Sequence, residues 1–325
     1  MRLSSFLLAL LAGPLVGTEL LNVSYDVTRE YYREINTAFS AQWQKDQGVA
    51  VTVNQSHGGS SKQARSVIDG LQADVVTMNQ ASDIDRIAAA KILPRNWRER
   101  FPNQASPTTS TIIFVVRAGN PKGIQDWSDL VKPGISVIVP NPKTSGNGRY
   151  SYLAAWTFAL RANGNDQAKA RDFVRKLFAN VPVFDTGGRG ATTTFAQRGI
   201  GDVLLTFESE VGLITKDVGG AGLQAVIPSL SIKAENPVAV VDKYATKHGN
   251  EALAKAYLDF LYFPAGQEIA LKHHLRPIDP ALLEREKARF ERPQLVTAEE
   301  AVGGWDKAFT VHFNDGALFD QIITK

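Results

Sequence analysis

Apolar and polar positions along this chain switch repeatedly between a strand period and a helix period. Leu20-Leu21-Asn22-Val23-Ser24-Tyr25 reads as a buried first strand. Tyr31, Ile35, Phe39 and Trp43 follow at four-residue spacing and line one face of a helix from about Thr28, with Asp26 or Thr28 placed to cap it. The unit repeats: residues 50–53 form a short β-branched run, 57–61 a turn and 63–71 a helix, and Asp74-Val75-Val76-Thr77-Met78 is the next strand. Such alternation predicts an α/β fold with mainly parallel sheets.

Thr111-Ile112-Ile113-Phe114-Val115-Val116 is apolar on both faces and is followed by Gly119-Asn120-Pro121, which marks a crossing into a second lobe. There the pattern recurs as a strand at 136–139, a turn from Asn141, a helix at 150–161 carrying Leu153, Trp156, Phe158 and Leu160, and a strand at 202–207. Residues 238–241 return the chain to the first lobe, and the part from Glu251 onward reads as helices packed on its outside. A chain of 325 residues exceeds a comfortable single core of roughly 100 to 200 residues. The expected division is residues 18–110 plus 229–325 in lobe I and 111–228 in lobe II, with no repeat of solenoid period.

Residues 1–17 have the basic, apolar and small-residue order of a cleavable secretory signal, with cleavage expected between Gly17 and Thr18. The apolar run is far short of the roughly 20 residues a membrane-spanning helix needs. There is no cysteine, so a lipidated cysteine, disulfides, thiol catalysis and thiolate metal sites are all excluded. The reading is a free periplasmic protein. Net charge is only +3 and the basic residues are scattered, which argues against a nucleic-acid or anionic-membrane surface.

The candidate chemistry lies in three glycine-rich turns, each placed to open a helix: Ser56-His57-Gly58-Gly59-Ser60-Ser61, Asn141 to Gly148, and Asp185-Thr186-Gly187-Gly188-Arg189-Gly190. Helix starts offer unpaired N–H groups and the positive end of the macrodipole to an anion. At the first turn these are the N–H groups of Ser60, Ser61 and Lys62, with the Ser60 hydroxyl able to cap the helix or donate to a ligand. At the second, Ser145, Gly146 and Asn147 form an anion nest outside the carboxyl end of a strand. At the third, Arg189 could pair with the anion or brace the turn from outside, and nearby Asp185 as a partner favours bracing. Ordinary capped helices and a solvated loop are the competing readings. A serine hydrolase using Ser60 with His57 lacks the Gly-x-Ser-x-Gly motif, and Gly146-Asn147-Gly148 lacks the third glycine and the distant acid of a dinucleotide site. None of the five histidines has metal-ligand spacing, so neither a metal nor a cofactor is expected.

The segments 20–26, Gln55 to Ser60, Pro140 to Gly146, Asn180 to Thr194 and Gly303-Gly304-Trp305 resemble the periplasmic sulfate- and thiosulfate-binding proteins of bacterial ABC importers. The resemblance covers nearly the whole chain after the leader. It implies a monomeric, two-lobed type II periplasmic binding protein, with each lobe a mainly parallel sheet flanked by helices. A dehydrated dianion would sit in the interlobe cleft, for delivery to a membrane permease. The implied ligand shell is the main-chain N–H of Asp26, Ser60, Gly146, Asn147 and Gly188, plus the Ser145 hydroxyl. The sulfate branch also uses a tryptophan indole N–H, and here Phe207 stands at that place. An aromatic face suits a terminal sulfur better than a fourth oxygen, and segments 185–194 and 207–211 resemble the thiosulfate branch more closely. The expected ligand is therefore thiosulfate, with sulfate second. Molybdate or phosphate capture is the alternative, and an exported serine hydrolase the remote one.

Overall fold

The first sheet is built on β1 (Thr18–Tyr25), where Leu20 and Val23 are buried and so are the intervening polar residues Asn22 and Ser24. Burial on both faces is the signature of a central strand. The polar side chains are paired: Asn22 Nδ2 donates to Tyr257 Oη at 3.2 Å and its Oδ1 accepts from Thr77 Oγ1 at 3.0 Å. In this computed structural model residues 18–214, 222–290 and 293–324 are described, and the expected leader lies outside them. β1 runs parallel to β2 (Val51–Gly58) on one side and to β3 (Val75–Thr77) on the other. β2 is longer than its apolar run suggests, because His57 and Gly58 pair with Ser24 and Tyr25.

α1 (Arg29–Gln47) buries Tyr31, Ile35 and Phe39 and stops where Gly48, at φ 71°, donates its N–H to Gln44 O. α2 (Ser60–Ile68) and α3 (Ala81–Ala89) follow β2 and β3. β4 (Thr108–Ser110) leads straight into β5 (Ile112–Val116), the crossing strand, whose five residues are all buried.

The second sheet contains β5, β6 (Val137–Ile138), β7 (Val203–Phe207) and β8 (Gln224–Val226), in the order β6-β7-β5-β8. Only β6 and β7 are parallel; β5 is antiparallel to both β7 and β8. This corrects the expectation of a mainly parallel second sheet. The cause is the point of entry: Ile112 starts opposite Phe207, so β5 runs away from the end toward which β7 runs.

β9 (Leu230–Ile232) and β10 (Ala234–Glu235) lead back toward β11 (Val238–Val240), which pairs with β3 and completes the first sheet as β11-β3-β1-β2. β10 and β12 (Arg276–Pro277) flank β4 in a small antiparallel sheet where the chain crosses between the two cores.

Two main apolar cores result. One gathers Leu20, Ile35, Val75, Ile87, Val240 and Tyr257. The other gathers Ile112, Trp127, Val203 and the buried face of α4 (Gly146–Ala162), against which α5 (Gln167–Ala179) packs. The C-terminal segment departs from expectation. Residues 253–275 join the first core, but Val296, Ala308, Phe313, Phe319 and Ile322 join the second. Tyr152 explains the attachment, with ring centroids 5.1 Å from Phe313 and 5.9 Å from both Phe178 and Phe319.

Candidate functional site

Each of the three glycine-rich turns does open a helix. α2 starts at Ser60, α4 at Gly146, and α6 (Gly188–Thr192) at Gly188. Asp26 begins a single 3₁₀ turn at the end of β1. Intrahelical bonding starts only at Gln63 N→Gly59 O (2.9 Å), Arg149 N→Ser145 O (3.1 Å) and Ala191 N→Gly187 O (3.2 Å). The N–H groups before those residues have no partner within their own helix.

The turns also meet. A Cβ built on Gly59 would lie 2.9 Å from both Thr144 O and Thr186 O, so only glycine fits where the first turn is pressed between the other two. Thr144 Oγ1 donates to Thr186 O at 3.0 Å and ties the second turn to the third. Arg189 N donates to Asp26 Oδ2 at 3.1 Å, tying the third turn to the end of β1. The Asp26 carboxylate thus serves the start of α6. Ser60, Ser145 and Asn147 are each at most 2% exposed, so the helix starts at the junction are buried. Phe207, equally buried, ends β7 with its ring edge-on to Tyr25 (centroids 6.2 Å) and Tyr150 (5.9 Å).

Residues 20–276 match the family model described as bacterial extracellular solute-binding protein. The thiosulfate-binding protein of Pseudomonas aeruginosa is 53% identical over 306 residues, covering 94% of this chain and 92% of that protein. The sulfate-binding protein of Escherichia coli is 52% identical over 318 residues, covering 98% and 97%. The chain belongs to the bacterial extracellular solute-binding proteins. Among solved structures, the sulfate-binding protein SubI from Mycobacterium tuberculosis H37Rv superimposes with a TM-score of 0.81 at 34% identity, covering 91% of this chain and all of that one. A periplasmic thiamin binding protein, at 17% identity and a TM-score of 0.64, shares the fold alone. That fold is the type II periplasmic binding protein fold.

In this solute-binding protein two arginines link the cores. Arg149, on α4 and 1% exposed, donates to Gln80 Oε1 (3.0 Å), Ser61 Oγ (2.7 Å) and Pro142 O (2.9 Å), and lies 3.7 Å from Asp83 Oδ2. Burial pulls its guanidinium down to about 10. Arg189 pairs with Glu30 (2.9 Å) and Glu210 (3.3 Å). It braces the turn as expected, but Asp185 is not the partner: the carboxylates come from α1 and from α7 (Glu208–Leu213), which sequence proximity does not reveal. Burial raises the Asp26 carboxyl and pushes Glu210 up to about 8, outweighing the pull of Arg189 in both.

One further expectation changes. The N-cap of α2 is Gly59, and the Ser60 hydroxyl turns instead toward Met78 Sδ (3.6 Å) and Asn79 N (3.5 Å). What Ser60 leaves without an intrahelical partner is its main-chain N–H. The ring nitrogens of His57 lie 3.0 Å from Tyr25 O and 2.9 Å from Gln55 Oε1, turned to neighbours other than Ser60. Ser145, by contrast, is the N-cap residue of α4 yet makes no side-chain capping bond, which leaves its hydroxyl available. Arg149 and Asn79 were not picked out in the sequence. Asn79 carried a usable signal, because it follows β3 at the carboxyl end, where open α/β sheets place ligands.

Among the described residues no group of His, Asp and Glu could hold a metal ion, and no helix is long and apolar enough to cross a membrane.

Proposed function

We propose that this chain is the periplasmic receptor of an ABC importer and captures thiosulfate, with sulfate as a second ligand, for sulfur assimilation. The observation that carries the reading is the meeting of three helix starts, whose first N–H groups have no partner within their own helices, with the end of β1 at Asp26. In the proposed shell the N–H groups of Asp26, Ser60, Gly146, Asn147 and Gly188 and the Ser145 hydroxyl donate to the dianion. Phe207 offers an apolar, polarisable face to the terminal sulfur. Near-equal identity to relatives named for the two anions does not separate them, so the preference rests on Phe207 and on the likeness of segments 185–194 and 207–211 to the thiosulfate branch.

Residues 1–17 act as the signal, and the mature protein is a monomer that opens and closes about the crossing strands near 109–116 and 227–238. Lobe I is 18–110 together with the following return segment, and the C-terminal residues 296–322 ride with lobe II.

Donor chemistry also sets selectivity. A protonated hydrogen phosphate needs an acceptor, and the Asp26 carboxylate is already turned to Arg189 N. An unpaired buried polar group costs about 1 to 3 kcal/mol, so phosphate should bind at least about tenfold more weakly than sulfate. Calorimetric titration of anion-stripped mature protein with thiosulfate, sulfate, molybdate and phosphate tests the whole reading. Tight thiosulfate with weaker sulfate supports it; sulfate alone removes the Phe207 argument; silence toward all four overturns the site.

A further inference from the structure

Two buried carboxamides at the first turn of α4 have chemistry that the main-chain shell does not use. Asn79, from the first core, is 3% exposed, and its Oδ1 has no hydrogen-bond partner. It lies so close to Gly146 that a Cβ there would fall 2.0 Å from Oδ1 and 2.8 Å from Nδ2. The side chain missing at 146 is the space that the Asn79 amide fills.

Asn147, from the second core, is 1% exposed. Its Oδ1 accepts from Ser151 Oγ at 3.2 Å, which fixes the plane of the amide, while its Nδ2 has no partner. That nitrogen lies 3.3 Å from the position a Cβ would take on Gly188, the residue that opens α6. Buried amides are almost always hydrogen-bonded, and leaving one unpaired is costly. Two such groups, one from each core, flank the helix starts at Gly146 and Gly188.

We propose that the side-chain amides of Asn79 and Asn147 are direct ligand groups of this site, each donating from its NH₂ to an oxygen of a fully ionised sulfur oxyanion: Asn147 through the nitrogen that is already unpaired, Asn79 after a half-turn of its amide that puts the nitrogen where the unpaired oxygen stands. A carboxamide suits the task because it adds a donor without adding charge and can rotate to present its NH₂. The two amides make up for the donor that Phe207 does not supply. They also shape the pocket from both sides of the cleft, so their contacts form only when the cores come together.

The proposal rests on the oxyanion reading above. Thiosulfate and sulfate are titrated into wild-type protein, Asn79→Ala and Asn147→Ala, and the ligand-free melting of each is recorded. Asn147→Ala keeps the main-chain N–H. Each alanine variant should bind about tenfold more weakly or worse, with little change in ligand-free melting. Asn147→Asp, equal in shape but stripped of the donor, should lose binding altogether. If Asn79→Ala does not fold, Asn79→Asp carries the same test at constant volume. Wild-type affinity in the position 79 and 147 variants overturns this proposal alone, whereas a wild-type protein silent toward both anions overturns it together with the oxyanion reading.

Discussion

The starts of α2 and α4 look alike in sequence, each a serine among glycines, yet they are built differently. At α2 the cap is Gly59, squeezed between carbonyls of the two other turns, and the Ser60 hydroxyl faces back to β3. At α4 the cap is Ser145 itself, with an uncommitted hydroxyl, and the helix continues for 17 residues. The difference teaches that the same residue pair can leave only main-chain N–H groups uncommitted at one helix start and a side-chain hydroxyl as well at another. Serine in a glycine-rich turn is thus not a sufficient sign of a ligand-binding hydroxyl.

The sharpest way to break the contrast is Gly59→Ala. Its Cβ would meet two backbone oxygens at 2.9 Å, and backbone yields far less readily than a side chain. One of those oxygens is on Thr144 and the other on Thr186, both belonging to the second core's turns, so the clash arises only when the cores are together. Overpacking of this kind costs about 1 to 3 kcal/mol. Anion affinity should fall roughly ten- to hundredfold in calorimetry while the ligand-free melting temperature stays close to wild type. Unchanged affinity would mean that the contact between turns is not part of the bound state.

Next in size is Ser145→Ala. Removing a hydroxyl that donates to a charged ligand costs about 1 to 3 kcal/mol, and the loss should appear for thiosulfate and sulfate alike. A variant with wild-type affinity would place α4 in the same class as α2, with a main-chain role only.

Glu210→Gln probes the ground behind α6 rather than the ligand shell. The Glu210 carboxyl is raised by burial to about 8 in the folded protein, above its ordinary value of 4.5. A carboxyl with a raised folded pKa contributes most stability when protonated, so that contribution is full below 4.5 and is lost as pH rises through 8. The glutamine variant never has to ionise. It should therefore melt higher than wild type at pH 9, by a few degrees, with the gap closing toward pH 5. A variant that melts lower at pH 9 would show that the ion pair with Arg189 outweighs the burial of the charge.

How much of this was legible in advance follows the range of the interactions. The α1 stripe of Tyr31, Ile35 and Phe39 and the apolar β5 are local patterns, and both were readable. So was the placing of three helix starts at glycine-rich turns. β2 reached Gly58 because β1 supplies pairing partners that outweigh the polar run from Asn54 to His57. The direction of β5, the packing of Phe319 on the second core and the choice of Glu30 over Asp185 as partner for Arg189 depend on residues distant in the chain. No periodicity encodes them. Within the site, glycine predicted close approach correctly but not what approaches: at Gly59 it is another turn, and at Gly146 an asparagine.

The smallest expected effect is also the most discriminating. Ser60→Ala removes a hydroxyl whose neighbours are a thioether sulfur at 3.6 Å and a backbone nitrogen at 3.5 Å, both weak contacts at the long end of hydrogen-bond range. The N–H of residue 60 remains, and alanine is at least as good a helix former in the first turn of α2. Affinity should stay within about twofold of wild type, against the tenfold or greater loss from Ser145→Ala. If the two serine variants lose affinity equally, the Ser60 hydroxyl must swing from Met78 to the ligand on binding, and the asymmetry between the two helix starts belongs only to the conformation described here.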